Sequence, residues 1–130
     1  MSDEVRKNKA TLQKIAEITP NARMAKEAPL AIVVCGDMRN ESNDLVREFW
    51  VQDASAATQN ILLAAHAMEL GAVWTGTYPA QNRCEAISQL LNLPSSIIPF
   101  STIVIGYPKE TQQPKDKWKE ENISYEVFGE

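Results

Sequence analysis

The sequence predicts an α+β domain, a central sheet of about three or four strands packed by helices. Three observations predict it. The stretch Trp50 to Pro79, WVQDASAATQNILLAAHAMELGAVWTGTYP, reads as one long helix, a glycine stop, a strand and a glycine turn. Two further runs, Leu30–Cys35 and Phe100–Tyr107, have the length and β-forming composition of strands. Two more segments, Ser2–Ile18 and Gln81–Leu91, carry apolar residues at helical spacing.

Taken in order, Ser2–Ile18 is a helix with Val5, Leu12, Ile15 and Ala16 on an apolar stripe that Ile18 extends. Its face of Lys7, Lys9, Gln13, Lys14 and Glu17 is polar. Pro20 ends it, because the residue before proline disfavours the helical region. Asn21–Ala28 is a second short helical piece, stopped before Pro29. Leu30–Cys35 is apolar on both sides, which suggests a strand covered on both faces, and Gly36-Asp37 closes it. Asp37 to Asp44 is a polar loop.

The central helix is uninterrupted by proline or glycine from Asp53 to Leu70. Apolar residues recur at Ala54, Ala57, Ile61, Ala64, Ala65 and Met68, which puts Ile61 on the buried face. Asp53 or Ser55 could cap its start, and Gly71 fits the left-handed position past its end. One face is mostly alanine, so another backbone can approach it closely. Ala72–Trp74 is a short strand, and Thr75-Gly76-Thr77-Tyr78-Pro79 is a turn with free backbone N–H groups. In Gln81–Leu91 the stripe is Cys84, Ile87, Leu90 and Leu91, and Asn92-Leu93-Pro94 stops it. Ile97-Ile98-Pro99 leads into the third strand. From Lys109 the chain is polar and charged, and Ile123–Phe128 alternates as an edge strand on an extended arm.

Residues 1–130 make one domain, and a chain of this size buries roughly two-thirds of its unfolded surface. With 13 basic and 17 acidic side chains the net charge is −4, which argues against a nucleic-acid groove. No apolar run approaches the roughly 20 residues of a membrane span, and Met1–Asn8 has no signal-peptide apolar region. Cytoplasmic residence is the expectation. Cys35 and Cys84 are isolated and read as reduced thiols. His66 is the one histidine, and no His/Cys/Asp/Glu cluster supplies the three or four ligands of a metal site. No GxSxG elbow presents a nucleophile.

Two features could carry chemistry. Trp74-Thr75-Gly76-Thr77 reads either as a plain helix–strand connection or as a turn whose glycine lets a flat ligand approach the backbone. Lys115-Asp116-Lys117 reads either as a charged tail or as a phosphate clamp.

The stretch Trp50–Pro79, together with the later segments LNLPSSIIPFSTIVIGYPKE and PKDKW, resembles the FMN-dependent nitroreductase family. The resemblance runs from about Asn21 to the C-terminus. It implies a nitroreductase-like central mixed sheet packed by helices, with a C-terminal arm exchanged between the subunits of a homodimer. It implies FMN as cofactor, NAD(P)H as electron donor, and a nitro, quinone or similar small-molecule acceptor reduced in alternating half-reactions. The cofactor then carries the reaction, so no catalytic side chain is required. Trp74, Thr75, Gly76 and Thr77 would lie by the flavin ring, with a backbone donor near N5. Lys115 and Lys117 would hold the FMN phosphate. Where family members often have arginine, Lys117 keeps the charge without the planar fork. The family's arginine-rich front helix and its Pro-Ser-x-x-Asn stretch have no counterpart, so the chain corresponds to the C-terminal two-thirds of the family domain. A truncated frame, half of a split protein, and a flavin-free interaction or regulatory subunit are the alternatives this leaves. A small-ligand-binding module is a further one.

Overall fold

The computed structural model describes residues 2–19, 21–39, 44–110 and 112–129, with side chains from Lys9 onward apart from positions 45 and 46. In chain order the elements are α1 (Ser2–Ile18), a short 3-10 turn (Arg23–Lys26), β1 (Leu30–Asp37), α2 (Asp44–Ala67), β2 (Gly71–Gly76), α3 (Gln81–Leu91) and β3 (Ile97–Gly106). A second 3-10 turn, Glu120–Asn122, lies in the tail. The strand order is β1-β3-β2. The class is α+β, as predicted. Among the described residues both pairings are antiparallel, so the sheet is not mixed.

The sheet is the middle of three layers. Val104 of β3 packs with Ile15 and Ala16 of α1, Ala22 and Ala25 of the following turn, and Ile87 of α3. Ser101, three positions earlier, bonds instead to Thr58 of α2. Residues an odd number apart on a strand face opposite ways, so α2 covers the other side. The stripe predicted for α1 is buried at Leu12, Ile15 and Ala16; Val5 lies outside the residues whose side chains are described. Pro20 and positions 40–43 of the expected Asp37–Asp44 loop also lie outside the described residues.

Continuous burial belongs to β3, which is buried from Pro99 through Ile105. The apolar run Leu30–Cys35 lies instead on an edge strand and is half-buried along most of its length. Ala31 and Val33 pack on the core cluster, while a Cβ on Gly36 would stand inside the Trp50 indole of α2. Glycine is thus required at position 36, because the indole lies against the strand backbone.

Helix α2 starts at Asp44, well before Asp53. Ser55 is therefore interior and donates back to the Val51 carbonyl at 2.8 Å. The helix ends without Gly71. Glu69 is left-handed, with φ 63°. Its N–H bonds the His66 carbonyl, and the Leu70 N–H bonds the Ala65 carbonyl. That double closure satisfies the terminal carbonyls, and Gly71 is free to begin β2. Asn92, φ 55°, closes α3 in the same manner.

The buried line of α2 is Ala54, Thr58 and Ala65. Ile61 is half-buried, and Ala57, Ala64 and Met68 are exposed. The apolar stripe therefore misplaced the buried face. A threonine sits at its centre because the hydroxyl is satisfied: it donates to the Ala54 carbonyl at 2.8 Å and meets Ser101 Oγ at 2.9 Å. The tail from Tyr107 to Gly129 is exposed apart from half-buried Ile123, setting aside position 111, which is not described. Ile123–Phe128 forms no strand in the single chain.

Candidate functional site: the open edge of β2

The local geometry begins at a proline in a central strand. Pro99 has no N–H to give to a ladder, and such residues sit at bulges. Here Val34 pairs with Ser101 and Cys35 with Pro99, so Phe100 is an extra residue in β3. The bulge turns Phe100 to the same side as its neighbour Ser101. Its ring lies 5.9 Å from Trp50 of α2 and 6.1 Å from Trp74 of β2. Trp50 also meets Tyr78 edge-on at 4.7 Å. A cavity of about 520 Å³, lined by Arg47, Trp50 and Ser96 among others, opens beside that cluster.

The Phe100 carbonyl accepts two bonds, from the Thr77 N–H at 3.2 Å and the Tyr78 N–H at 3.0 Å. Those two donors, expected to be free, are therefore used internally. The side chains of Thr75 and Thr77 also turn inward. Thr75 Oγ1 donates to the Thr102 carbonyl at 2.6 Å, and Thr77 Oγ1 meets Thr102 Oγ1 at 3.3 Å. These buried hydroxyls fix the end of β2 to β3. The following peptide, Tyr78–Pro79, is cis.

What remains available is the main chain of Trp74 and Gly76. In an antiparallel pair, cross-bonded residues alternate with residues whose N–H and C=O point away. Thr77 bonds across to Phe100. Two residues back Thr75 does so too, and Trp74 and Gly76 turn outward. The Gly76 carbonyl agrees with this assignment, since it is taken by Arg83 Nη1 of α3 at 3.2 Å. Because β2 is an edge strand among the described residues, the outward Gly76 N–H has no ladder partner. Among the described residues a Cβ at Gly76 would meet nothing within 4 Å, so no contact there accounts for the glycine. The strand thus reaches Gly76, farther than the expected Ala72–Trp74, and the glycine lies in an extended edge rather than a turn.

Lys115 and Lys117 are exposed, in the tail after β3. Asp116 between them accepts the Trp118 N–H at 3.0 Å, and among the described residues neither lysine forms an ion pair. The tail leaves β3 after Gly106, which is opposite Gly71 and at the far end of the ladder from Gly76. The structure therefore brings Trp74–Thr77 together with Trp50, Phe100 and Arg83, and does not bring the two lysines to them. Arg83 and Phe100 were missed in the sequence. Pro99 inside a strand pattern was the available signal for the bulge.

The cysteines sit beside the same bulge and are free thiols. Cys84 Sγ contacts the Pro99 carbonyl at 3.6 Å. Burial pushes both thiols up from their ordinary range, with Glu85 adding to the effect at Cys84, so neither is primed as a nucleophile. Among the described residues no group of three His, Cys, Asp or Glu is placed to hold a metal, and no helix is long and apolar enough to cross a membrane.

The Nitroreductase family model matches residues 1–107. A protein of Methanothermobacter thermautotrophicus, provisionally named NADH dehydrogenase/NAD(P)H nitroreductase, is 48% identical over 122 residues, 94% of this chain and 62% of that protein. A crystal structure from Bacteroides thetaiotaomicron with the same provisional name is 42% identical, with TM-score 0.84 over 92% of this chain and 68% of that one. An FMN-dependent nitroreductase from Clostridium difficile is 26% identical, with TM-score 0.79 over 92% of this chain and 71% of that one. The chain belongs to the nitroreductase family. It spans about three-fifths of the length of the archaeal relative.

Proposed function

We propose that this chain is an FMN-dependent NAD(P)H oxidoreductase of nitroreductase type, acting as a homodimer on nitro, quinone or similar electrophilic acceptors. The observation that carries the reading is the Gly76 edge. An outward N–H, with no side chain in front of it, stands on a chain of the nitroreductase family. Further support comes from relatives named for NAD(P)H and for FMN.

The residues present fit a flavin in part. Gly76 offers a donor that needs no reorganisation, since its strand is held by the Thr75, Thr77 and Thr102 hydroxyls. Trp74 and Tyr78 are exposed aromatic surfaces beside it. Thr75 and Thr77 would act through their main chain, their hydroxyls being turned inward. Lys115 and Lys117 would hold the phosphate, reaching the site from the partner subunit's tail. Bound FMN would supply the two-electron transfer between NAD(P)H and acceptor; the chain's own part is to orient the ring and exclude water.

Titrating FMN into the purified protein tests this, with flavin fluorescence and melting temperature as readouts. At about a hundredfold excess over Kd, binding adds about 2.7 kcal/mol of stability. Added NAD(P)H should then bleach the bound flavin. No change in fluorescence or melting sinks the reading. Binding without bleaching leaves a flavin-binding protein that is not a reductase.

A further inference from the structure

Arg83 lies outside the buried core cluster. It lies in the first turn of α3, and among the described residues its guanidinium bonds only to the Gly76 carbonyl, at 3.2 Å. That bond matters because the N–H and C=O of one strand residue point to the same side. The edge at Gly76 would otherwise present a donor and an acceptor side by side. With the guanidinium on the carbonyl, the acceptor is taken. The approach is then lined by the Gly76 N–H and by the remaining N–H groups of a fixed, permanently charged fork. The same bond polarises the Gly76–Thr77 peptide, whose N–H is bonded to Phe100, so the three groups strengthen one another.

We propose that Arg83 is a positioning residue for this edge. It takes the Gly76 carbonyl and holds the Gly76–Thr77 peptide, so that at Gly76 the N–H is the group left to present, and it makes that end of the edge donor-only and positive. Such an edge selects a planar ring by its acceptors, as in the carbonyl oxygen and imine nitrogen of an oxidised flavin, and disfavours a ring edge that donates. The choice of ligand rests on the flavin reading above; the hold on the peptide does not.

The test compares the parent protein with Arg83→Met and Arg83→Lys. Amide spectra are recorded without ligand, and FMN affinity is measured by fluorescence. Arg83→Met should shift the Gly76 and Thr77 amide resonances and speed exchange at Thr77. It should also weaken FMN binding by about tenfold. The ligand-free melting temperature should stay unchanged, since Arg83 lies outside the core. Arg83→Lys should recover part of the affinity. Unmoved Gly76 and Thr77 resonances, or undiminished FMN affinity in Arg83→Met, would overturn the proposal. If the parent itself takes no FMN, the flavin reading falls and the amide resonances alone decide whether Arg83 holds the peptide.

Discussion

Replacing Thr58 by valine removes one hydroxyl and disturbs the two groups bonded to it, the Ala54 carbonyl and the Ser101 hydroxyl. Thr58 is fully buried, as is Ser101 across from it. The proton directions follow from counting. Thr58 Oγ1 gives its one hydrogen to the Ala54 carbonyl, so in the 2.9 Å contact Ser101 must be the donor. Valine keeps the shape and nearly the helix propensity of threonine, yet leaves the Ser101 hydroxyl buried with no acceptor. An unsatisfied buried group costs about 1–3 kcal/mol. Ser101→Ala removes a donor while leaving Thr58 bonded to Ala54, and should cost about 0.5–1.5 kcal/mol, the net worth of one hydrogen bond. The double variant should then be no less stable than Thr58→Val alone, because the second change removes the orphan. Urea unfolding followed by tryptophan fluorescence, at fixed protein concentration, gives all four corners of this cycle. Strictly additive losses would refute the reasoning, by showing that the two hydroxyls do not share a bond.

Three further outcomes follow from the same geometry. Gly36→Ala should destabilise by about 1–3 kcal/mol, since the new Cβ forces the Trp50 indole aside; an unchanged urea midpoint would count against that packing. Glu69→Gly should stabilise by about 0.5–1 kcal/mol, because the left-handed position closing α2 suits glycine, and a lower midpoint would contradict it. Arg39 beside Asp37 holds that carboxyl down at about 2, from a usual 3.8, mainly by side-chain hydrogen bonds. A depressed folded value stabilises above the unfolded value and is lost as pH falls through the folded one. The contribution of this exposed pair should therefore fade between about pH 4 and pH 2, and Asp37→Asn should flatten the acid limb of a stability profile there.

The elements were legible because their signals are local. The α1 stripe, the glycine and proline punctuation and the β-branched runs each state their own period, and α1 and α3 fall at the expected bounds. What was not legible depended on partners. Apolar spacing on α2 could not show that Thr58 would be buried, because its burial rests on Ala54 and on Ser101, which is distant in sequence. Gly71 looked like the helix stop because glycine favours left-handed backbone, yet Glu69 takes that conformation. The run Leu30–Cys35 has the composition of a central strand but lies at an edge, and composition carries no strand order. The Trp74–Thr77 segment was found from its glycine. The outward direction of its N–H and its tie to Arg83 came only from register.

Among the described residues two apolar surfaces lie uncovered. On α2, Leu63 is 58% exposed and Met68 69%, next to exposed Ala64 and Ala67. An open groove of about 1440 Å³, lined by Leu62, Leu70, Val73 and Tyr107 among others, continues that face onto β2. In the tail, Trp118 is 71% exposed and Phe128 97%. Single exposed apolar residues are ordinary, but a contiguous patch signals an interaction site. The tail is long enough to fold back, since nine residues from Tyr107 to Lys115 reach about 30 Å, whereas the ladder from Gly106 to Ser101 spans about 17 Å. It nonetheless makes no hydrogen bond to Trp74–Thr77 among the described residues. A second copy would meet both needs at once, by covering the α2 face and receiving the tail. Sedimentation at micromolar concentration should show a dimer. Deleting residues 123–130 should raise its dissociation constant at least about tenfold, or 1.4 kcal/mol, and loosen FMN in step. A monomeric parent would refute the assembly. A dimer indifferent to the deletion would confine the interface to α2 and remove the support for Lys115 and Lys117 reaching the Gly76 edge from a partner's tail.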